Sequence, residues 1–152
     1  MTWLDPDFDP PERLDLATGE HLRPLREADV DIDYPAVMGS RQRLWEKYGK
    51  AWGWPRATMG YEDDREDLAR HEAEFDGGDA FAFAILDEAE TRLLGCLYID
   101  PPEADAPDGA DAMASWWVID DAAGSALERA LDDALPRWMS EVWGFESVHY
   151  HP

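Results

Sequence analysis

The sequence has 152 residues, of which 45% are hydrophobic and 12% aromatic, and its 35 acidic against 13 basic residues give a formal net charge of −22. A chain of this length normally forms one domain that buries roughly 70% of its unfolded surface, and the aromatic content argues against intrinsic disorder. The charge excludes nucleic acids and anionic membranes as partners, because binding them requires basic patches and the densest one here is Arg41-Gln-Arg43.

The acidity itself has two interpretations. It solvates the surface, or it attracts a cationic substrate. Cys96 is the only cysteine, which excludes an intrachain disulfide. The first residues lack the basic and apolar regions of a signal peptide, and no apolar run approaches ~18 residues. We therefore expect a cytoplasmic protein.

The amino-terminal residues predict an extended arm over 1–12, where Asp and Pro alternate around Trp3, Leu4 and Phe8. The domain is expected to occupy residues 13–152. Residues 21–25 predict its first strand. Two amphipathic helices should follow, at about 35–49 and at 62–75, because apolar residues recur there at helical spacing.

From residue 80 the pattern changes to strands. Alternation over 80–99 around a polar turn predicts an antiparallel hairpin, and residues 113–119 predict a third strand of the same meander. A long helix is expected to start near Ala123, with Pro136 kinking or splitting it. Residues 146–151 predict a last strand.

Five segments, taken in order, resemble the GNAT superfamily of acyl-CoA-dependent N-acetyltransferases. They are HLRPLREADV at 21–30, LLGCLYID at 93–100, SWWV at 115–118, GSALERAL at 124–131 and WGFESVHYH at 143–151. The resemblance covers residues 20–151. It implies an α/β (α+β) fold, in which a mixed central sheet with an antiparallel meander carries helices on both faces.

The resemblance also implies a place for acetyl-CoA. In this family the strand that corresponds to 113–119 offers backbone groups to pantetheine, and the next loop and helix start bind the pyrophosphate through backbone N–H groups. This assigns pantetheine to Val118 and Ile119. The pyrophosphate is assigned to Gly124, Ser125 and Ala126.

The loop between these residues departs from the family pattern, since it is short and carries Asp120 and Asp121 where the family has a basic residue and extra glycines. These acids repel phosphate. The alternative is that one of them caps the helix and satisfies the donors that CoA would use. Family members also continue past the last strand to a tyrosine that protonates the thiolate, which has no counterpart before Pro152.

Acetyl transfer to an amine needs a base. The candidates are Tyr98 and Asp100, at the end of a strand, and Glu146 and His149, which flank or lie on the last strand. The alternative treats them as ordinary strand or surface residues. His149 and His151 share one strand face, a spacing that can bind a metal, but no third ligand lies near them in sequence. We predict no metal.

The densest aromatic segment contains four rings that the resemblance places beside the acceptor pocket: Trp45, Tyr48, Trp52 and Trp54. Such rings, with nearby acids, suit a cationic amine through cation–π contact. The alternative is that they belong to the core.

Two functions follow from these residues. One is an N-acyltransferase that moves an acetyl group from acetyl-CoA to a small-molecule or peptide amine. The other is a non-catalytic module of the same fold for ligand sensing or protein association.

If residues 147–151 form an edge strand, its unpaired backbone N–H and C=O groups need to be covered. We expect either a homodimer or the amino-terminal arm to cover them.

Overall fold

A computed structural model describes residues 3–152, and within them six strands form a sheet whose spatial order follows the sequence. The strands are β1 (Leu14–Asp15), β2 (His21–Pro24), β3 (Phe81–Leu86), β4 (Leu93–Asp100), β5 (Ala112–Val118) and β6 (Val148–Tyr150). Neighbours pair antiparallel from β1 to β5, whereas β6 runs parallel to β5. The predicted mixed sheet with its meander is confirmed, and β1 was not predicted.

Four α-helices are present among the described residues: α1 (Val30–Gly39), α2 (Arg41–Trp52), α3 (Tyr61–Gly77) and α4 (Ala126–Glu141). The single helix predicted over 35–49 is wrong, because the chain breaks at Ser40 into α1 and α2. Ser40 has a non-helical backbone, and its buried hydroxyl accepts a hydrogen bond of 2.9 Å from the Asp120 N–H. None of these helices is long and apolar enough to cross a membrane.

The helices cover both faces of the sheet, as predicted. Phe83 lies opposite Leu97 in the register, so Tyr98 and Cys96 point to the other face. On that face the Tyr48 ring of α2 lies 6.3 Å from the Tyr98 ring. On the Phe83 face the indole of Trp138, from α4, contacts Phe83 edge-on at 5.3 Å.

Helix α4 runs through Pro136 to Glu141, so the expectation that this proline splits the helix is wrong. An interior proline costs about 3 kcal/mol. The helix also buries an apolar ridge that includes Leu131, Leu135 and Met139, and each such side chain contributes roughly 1.5–3 kcal/mol. Packing on the sheet therefore outweighs the lost backbone donor.

Strand β4 needs a glycine where β5 comes closest. A Cβ atom at Gly95 would lie 2.0 Å from the Trp117 carbonyl oxygen, far inside van der Waals contact. This close approach explains the glycine in the segment LLGCLYID. It also fixes the position of β4 against β5. Strand β4 forms one wall of the cavity described in the next subsection.

The amino-terminal arm packs beside the start of β5 and against the segment that leads into β6. The Trp3 indole stacks on Phe145 at 5.8 Å and donates a hydrogen bond of 2.9 Å to the Asp111 carbonyl oxygen. Phe8 contacts Trp143 at 5.6 Å. Residues 1 and 2 of the predicted arm lie outside the described residues, and pairing of β6 with a second copy stays a prediction.

Candidate functional site

A cavity of about 420 Å³ lies between α3 and β4, beside the segment that joins α2 to α3. Its lining is rich in acids: the five carboxyl groups belong to Asp33, Asp64, Asp67, Glu74 and Asp100. Two guanidinium groups, Arg56 and Arg70, oppose them. Arg70 is already engaged, because it bonds Glu74 at 3.1 Å. The cavity therefore favours a cation.

Helix α3 supplies most of the acids from one face. Asp64, Asp67, His71 and Glu74 follow each other at steps of three and four residues, so they form a single stripe. Leu68 on the same face is 2% exposed and holds this side of α3 against the sheet. The signal for these site residues in the sequence is the spacing of acids along a half-buried helical stripe.

Strand β4 supplies the opposite wall, where Tyr98 and Asp100 share a face. The Tyr98 hydroxyl accepts a hydrogen bond of 2.9 Å from the Trp117 indole, and its ring stacks on His71 at 5.7 Å. Burial raises the pKa of Tyr98 well above its usual value, so the phenol stays protonated.

Burial shifts the pKa of Asp100 and of His71 toward their neutral forms. Burial, reinforced by the charges of Glu74 and Glu103, raises the pKa of Asp100 to about 6. Burial and the charge of Arg70 lower the pKa of His71 to about 4, so its imidazole is neutral. A base is most effective when its pKa lies near the working pH, which favours Asp100.

The predicted aromatic set divides in the structure. Trp52 and Trp54 line the cavity. Tyr48 lies behind them, stacked on Trp52 at 4.5 Å and hydrogen-bonded to the Ser115 hydroxyl at 2.7 Å. Trp45 lies outside, 40% exposed on α2. Three of the four rings therefore belong to one cluster at the cavity.

A second feature, the open edge of β5, lies on the other side of Tyr48. Strand β6 pairs only with Ala112–Ala114, so from Ser115 to Val118 strand β5 pairs with β4 alone and its other edge is open. The carbonyl oxygens of Trp116 and Val118 accept hydrogen bonds from Lys47 at 2.6 Å and Arg43 at 3.1 Å, both from α2. Of the two residues predicted to bind pantetheine, Val118 thus has its carbonyl oxygen occupied by Arg43, and Ile119 donates its N–H to the Leu94 carbonyl oxygen at 2.9 Å.

The start of α4 is partly satisfied internally. Ser125 caps the helix by accepting a hydrogen bond of 3.4 Å from the Glu128 N–H, and the Gly124 N–H donates to the Glu128 carboxylate at 2.9 Å. The Ser-x-x-Glu spacing of a capping box carried this signal in the sequence. One donor predicted to face pyrophosphate therefore binds a carboxylate of the same chain.

Neither of the two loop acids caps α4, so that alternative is wrong. Residues 120–122 form a separate short 3-10 turn, which leaves Ser125 in the cap position. Asp120 instead forms an ion pair of 2.8 Å with Arg43, and Asp121 lies 3.5 Å from Arg92.

Comparison with protein-family models and with the sequences of curated proteins gives no match. Solved structures do match. The ribosomal-protein-S5-alanine acetyltransferase of Vibrio fischeri superposes with a TM-score of 0.70 at 15% identity, over 92% of this chain and 73% of that one. This chain has a GNAT-like fold.

Two further structures share the fold at similarly low identity. The ribosomal L7/L12 alpha-N-protein acetyltransferase RimL, in complex with coenzyme A, gives a TM-score of 0.68 at 18% identity over 86% of this chain and 69% of that one. A nucleotide-linked sugar GNAT gives 0.57 at 15% over 91% and 71%. At such identities the likeness establishes the GNAT-like fold alone.

One predicted base lies apart from the cavity. His149 pairs with Met113 in the sheet register, and its ring stacks on His151 at 5.6 Å. It is absent from the described residues that line the cavity, whereas Tyr98 and Asp100 both belong to it. Within residues 3–152, no group of three or more His, Cys, Asp or Glu side chains could hold a metal ion.

Proposed function

We propose that this protein is an N-acyltransferase that binds a cationic amine in the α3–β4 cavity and acetylates it from acetyl-CoA. The observation that carries the proposal is the position of Asp100, an acid with a pKa of about 6, inside an aromatic and acidic cavity. The structural likeness to acetyltransferases supports the same reaction class.

The cavity recognises an amine in its charged form. Its carboxyl groups attract an ammonium ion, and the faces of Trp52 and Trp54 provide cation–π contact and apolar surface for the attached carbon chain. The overall charge of −22 concentrates cations around the molecule. Binding therefore delivers the substrate in the protonated state, which cannot attack a thioester.

Asp100 makes the amine reactive by removing one proton from its nitrogen. The nitrogen lone pair then forms a bond to the thioester carbonyl carbon, and the carbon–sulfur bond breaks with its electron pair leaving on the sulfur as a thiolate. The attacking nitrogen releases a second proton to solvent and keeps one as the amide N–H. Tyr98, two residues away on the same face of β4, keeps its phenol proton because burial raises its pKa. It is the donor available to that thiolate.

Acetyl-CoA would lie along the open edge of β5. Lys47 and Arg43 hold the carbonyl oxygens there through flexible side chains, and both can rotate away from β5. Once released, they would supply the positive charge that the acidic loop lacks. Pantetheine amides would then take their place on Trp116 and Val118.

The direct test is to incubate the protein with acetyl-CoA and a panel of amines and to detect acetylated products by mass spectrometry. We expect product with the wild type and a large loss with Asp100→Asn. The exposed Asp105→Asn removes the same charge and should leave the rate unchanged. Absence of product from every amine, with no acetyl-CoA bound at millimolar concentration, would refute the reaction.

A second function, an amine-binding module without transfer, is favoured by one specific observation. Arg43, Lys47 and Glu128 already pair with the backbone groups that acetyl-CoA needs. Calorimetric titration separates the two functions. Heat with an amine but none with acetyl-CoA supports the module, while micromolar binding of acetyl-CoA supports the enzyme.

A further inference from the structure

Two buried acids lie at one end of the cavity. Asp33 from α1 and Asp64 from α3 are each 2% exposed, and both line the cavity. Burial, reinforced by the neighbouring Asp64 carboxyl group, raises the pKa of Asp33 well above its usual value, so the pair holds at least one proton. Neither acid forms an ion pair with an Arg or Lys side chain of residues 3–152.

Asp64 also carries an oxygen that the protein leaves unsatisfied. Its Oδ2 atom is buried and has no hydrogen-bond partner among the described residues, while the side chain lines the cavity. Leaving a buried acceptor unpaired costs free energy, and more so when the group is charged. A donor brought by a ligand would satisfy this oxygen.

The opposite end of the cavity is a second acidic pole, formed by Asp100 beside Glu74. Ten residues of α3 separate Asp64 from Glu74, which is about 15 Å along a helix. On β4, Cys96 lies 3.9 Å from Asp33 and four residues before Asp100, which is about 13 Å along a strand. The distance along α3 and the distance along β4 thus agree that the Asp33–Asp64 pair and the Asp100–Glu74 pair lie about 13–15 Å apart.

The rings of the cavity lie between the two poles. Tyr98 falls midway between Cys96 and Asp100 on β4, and Trp52 contacts it edge-on at 5.5 Å. The lining therefore carries carboxyl groups at both ends, with Arg70 paired to Glu74 at one of them, and aromatic rings in the middle. An extended aliphatic chain with a cation at each end matches this order, whereas a carboxylate on the ligand would meet five carboxyl groups.

We infer that the substrate is an aliphatic diamine or longer polyamine, held at its far ammonium group by the Asp33–Asp64 pair. The ammonium donates to Asp64 Oδ2, the carbon chain lies along the rings, and the second amine reaches Asp100. This inference rests on the proposed amine site and names its substrate class. Asp33 and Asp64 are binding residues in it, remote from the reacting nitrogen.

Calorimetry with a series of unbranched diamines and polyamines, each beside the monoamine of equal chain length, tests this inference without acetyl-CoA. We expect one ligand per chain. The best diamine should bind at least tenfold more tightly than its monoamine, and the advantage should appear only when the chain is long enough to join both poles. Equal binding of diamines and monoamines at every length would overturn the inference.

Asp64→Asn is the decisive variant, because it keeps the shape of the side chain and removes the acceptor charge. It should abolish the advantage of the diamine and leave monoamine binding at the Asp100 pole intact. Asp33→Asn should act in the same direction, and the exposed Asp105→Asn should change nothing. Several cations per chain, unaffected by Asp64→Asn, would show condensation on the acidic surface and overturn the inference.

The two proposals fail in different ways. Length-dependent diamine binding without any acetylated product would refute the transfer and keep the diamine site. Acetylation of monoamines as efficient as that of diamines would keep the transfer and refute the diamine site.

Discussion

The α3–β4 cavity and the open edge of β5 lie on either side of Tyr48, and they differ in how their polar groups are satisfied. At the edge, Lys47 and Arg43 bond the two carbonyl oxygens, and Asp120 pairs with Arg43. In the cavity, a buried oxygen of Asp64 has no partner among the described residues, and burial shifts the pKa of several acids.

This difference indicates which region is prepared for a ligand. A region that satisfies itself must lose internal bonds before it binds anything, whereas a region with unpaired buried groups gains them on binding. The cavity is therefore the stronger evidence for function. Acetyl-CoA would have to compete with α2 for the edge.

The largest effect should come from the proposed base. Asp100→Asn should lower the acetylation rate by roughly 100-fold or more, the usual contribution of a general base. The wild-type rate should rise as the pH passes about 6, because only the deprotonated carboxylate accepts a proton. Steady-state rates between pH 5 and 8 check both expectations, and a variant that keeps the full rate would exclude Asp100 from catalysis.

The next largest effect is expected from a substitution at the contact between β4 and β5. This contact positions both the cavity and the open edge of β5. Gly95→Ala places a methyl group against the Trp117 carbonyl oxygen and should lower the free energy of unfolding by about 1–3 kcal/mol or more. Chemical denaturation measures it. Gly39→Ala is the matched control, since its Cβ meets nothing within 4 Å, and equal stability of the two variants would contradict the packing described for β4.

A smaller effect is expected at the open edge of β5, on the affinity for acetyl-CoA. Asp120→Asn with Asp121→Asn releases Arg43 and Arg92 and removes two negative charges near the start of α4. At ~0.3–1 kcal/mol per charge, acetyl-CoA should bind roughly threefold to thirtyfold more tightly. Calorimetry measures this affinity, with the double variant Asp105→Asn and Asp108→Asn as the control. If the affinity of the Asp120 and Asp121 double variant is unchanged, phosphate does not approach this loop.

The smallest effect concerns stability against pH. Burial raises the pKa of Asp33, Asp64 and Asp100, so folding favours their neutral forms. The stabilisation that this protonation provides is complete below the unfolded pKa near 4 and is lost as the pH rises through the folded pKa, which is about 6 for Asp100. The ligand-free protein should therefore melt at a higher temperature at pH 5 than at pH 7.

Scanning calorimetry of Asp100→Asn and Asp105→Asn isolates this contribution from that of the overall charge. The first variant should show a weaker dependence on pH than the wild type, because it lacks one of the buried groups that titrate. The second should keep the wild-type dependence. Identical curves for all three proteins would contradict the raised pKa of Asp100.

Much of the fold could be predicted from the sequence, because local patterns determine strands and helices. Alternation over residues 80–99 predicted the hairpin, and turn residues marked its ends. The break at Ser40 escaped prediction, since it depends on a hydroxyl that bonds the distant Asp120 N–H. Helix α4 likewise continues through Pro136 because its apolar side packs on the sheet.

The candidate site divides in the same way. The sequence by itself determined that Trp52, Trp54, Tyr98 and Asp100 stand near turns and strand ends, and that the loop before α4 is acidic. Only the tertiary structure decided that Asp33 meets Asp64 across two helices and that Lys47 reaches the Trp116 carbonyl oxygen. The physical reason is that periodicity fixes which side chains share a face of a helix or strand, whereas the packing of the whole domain fixes which faces meet.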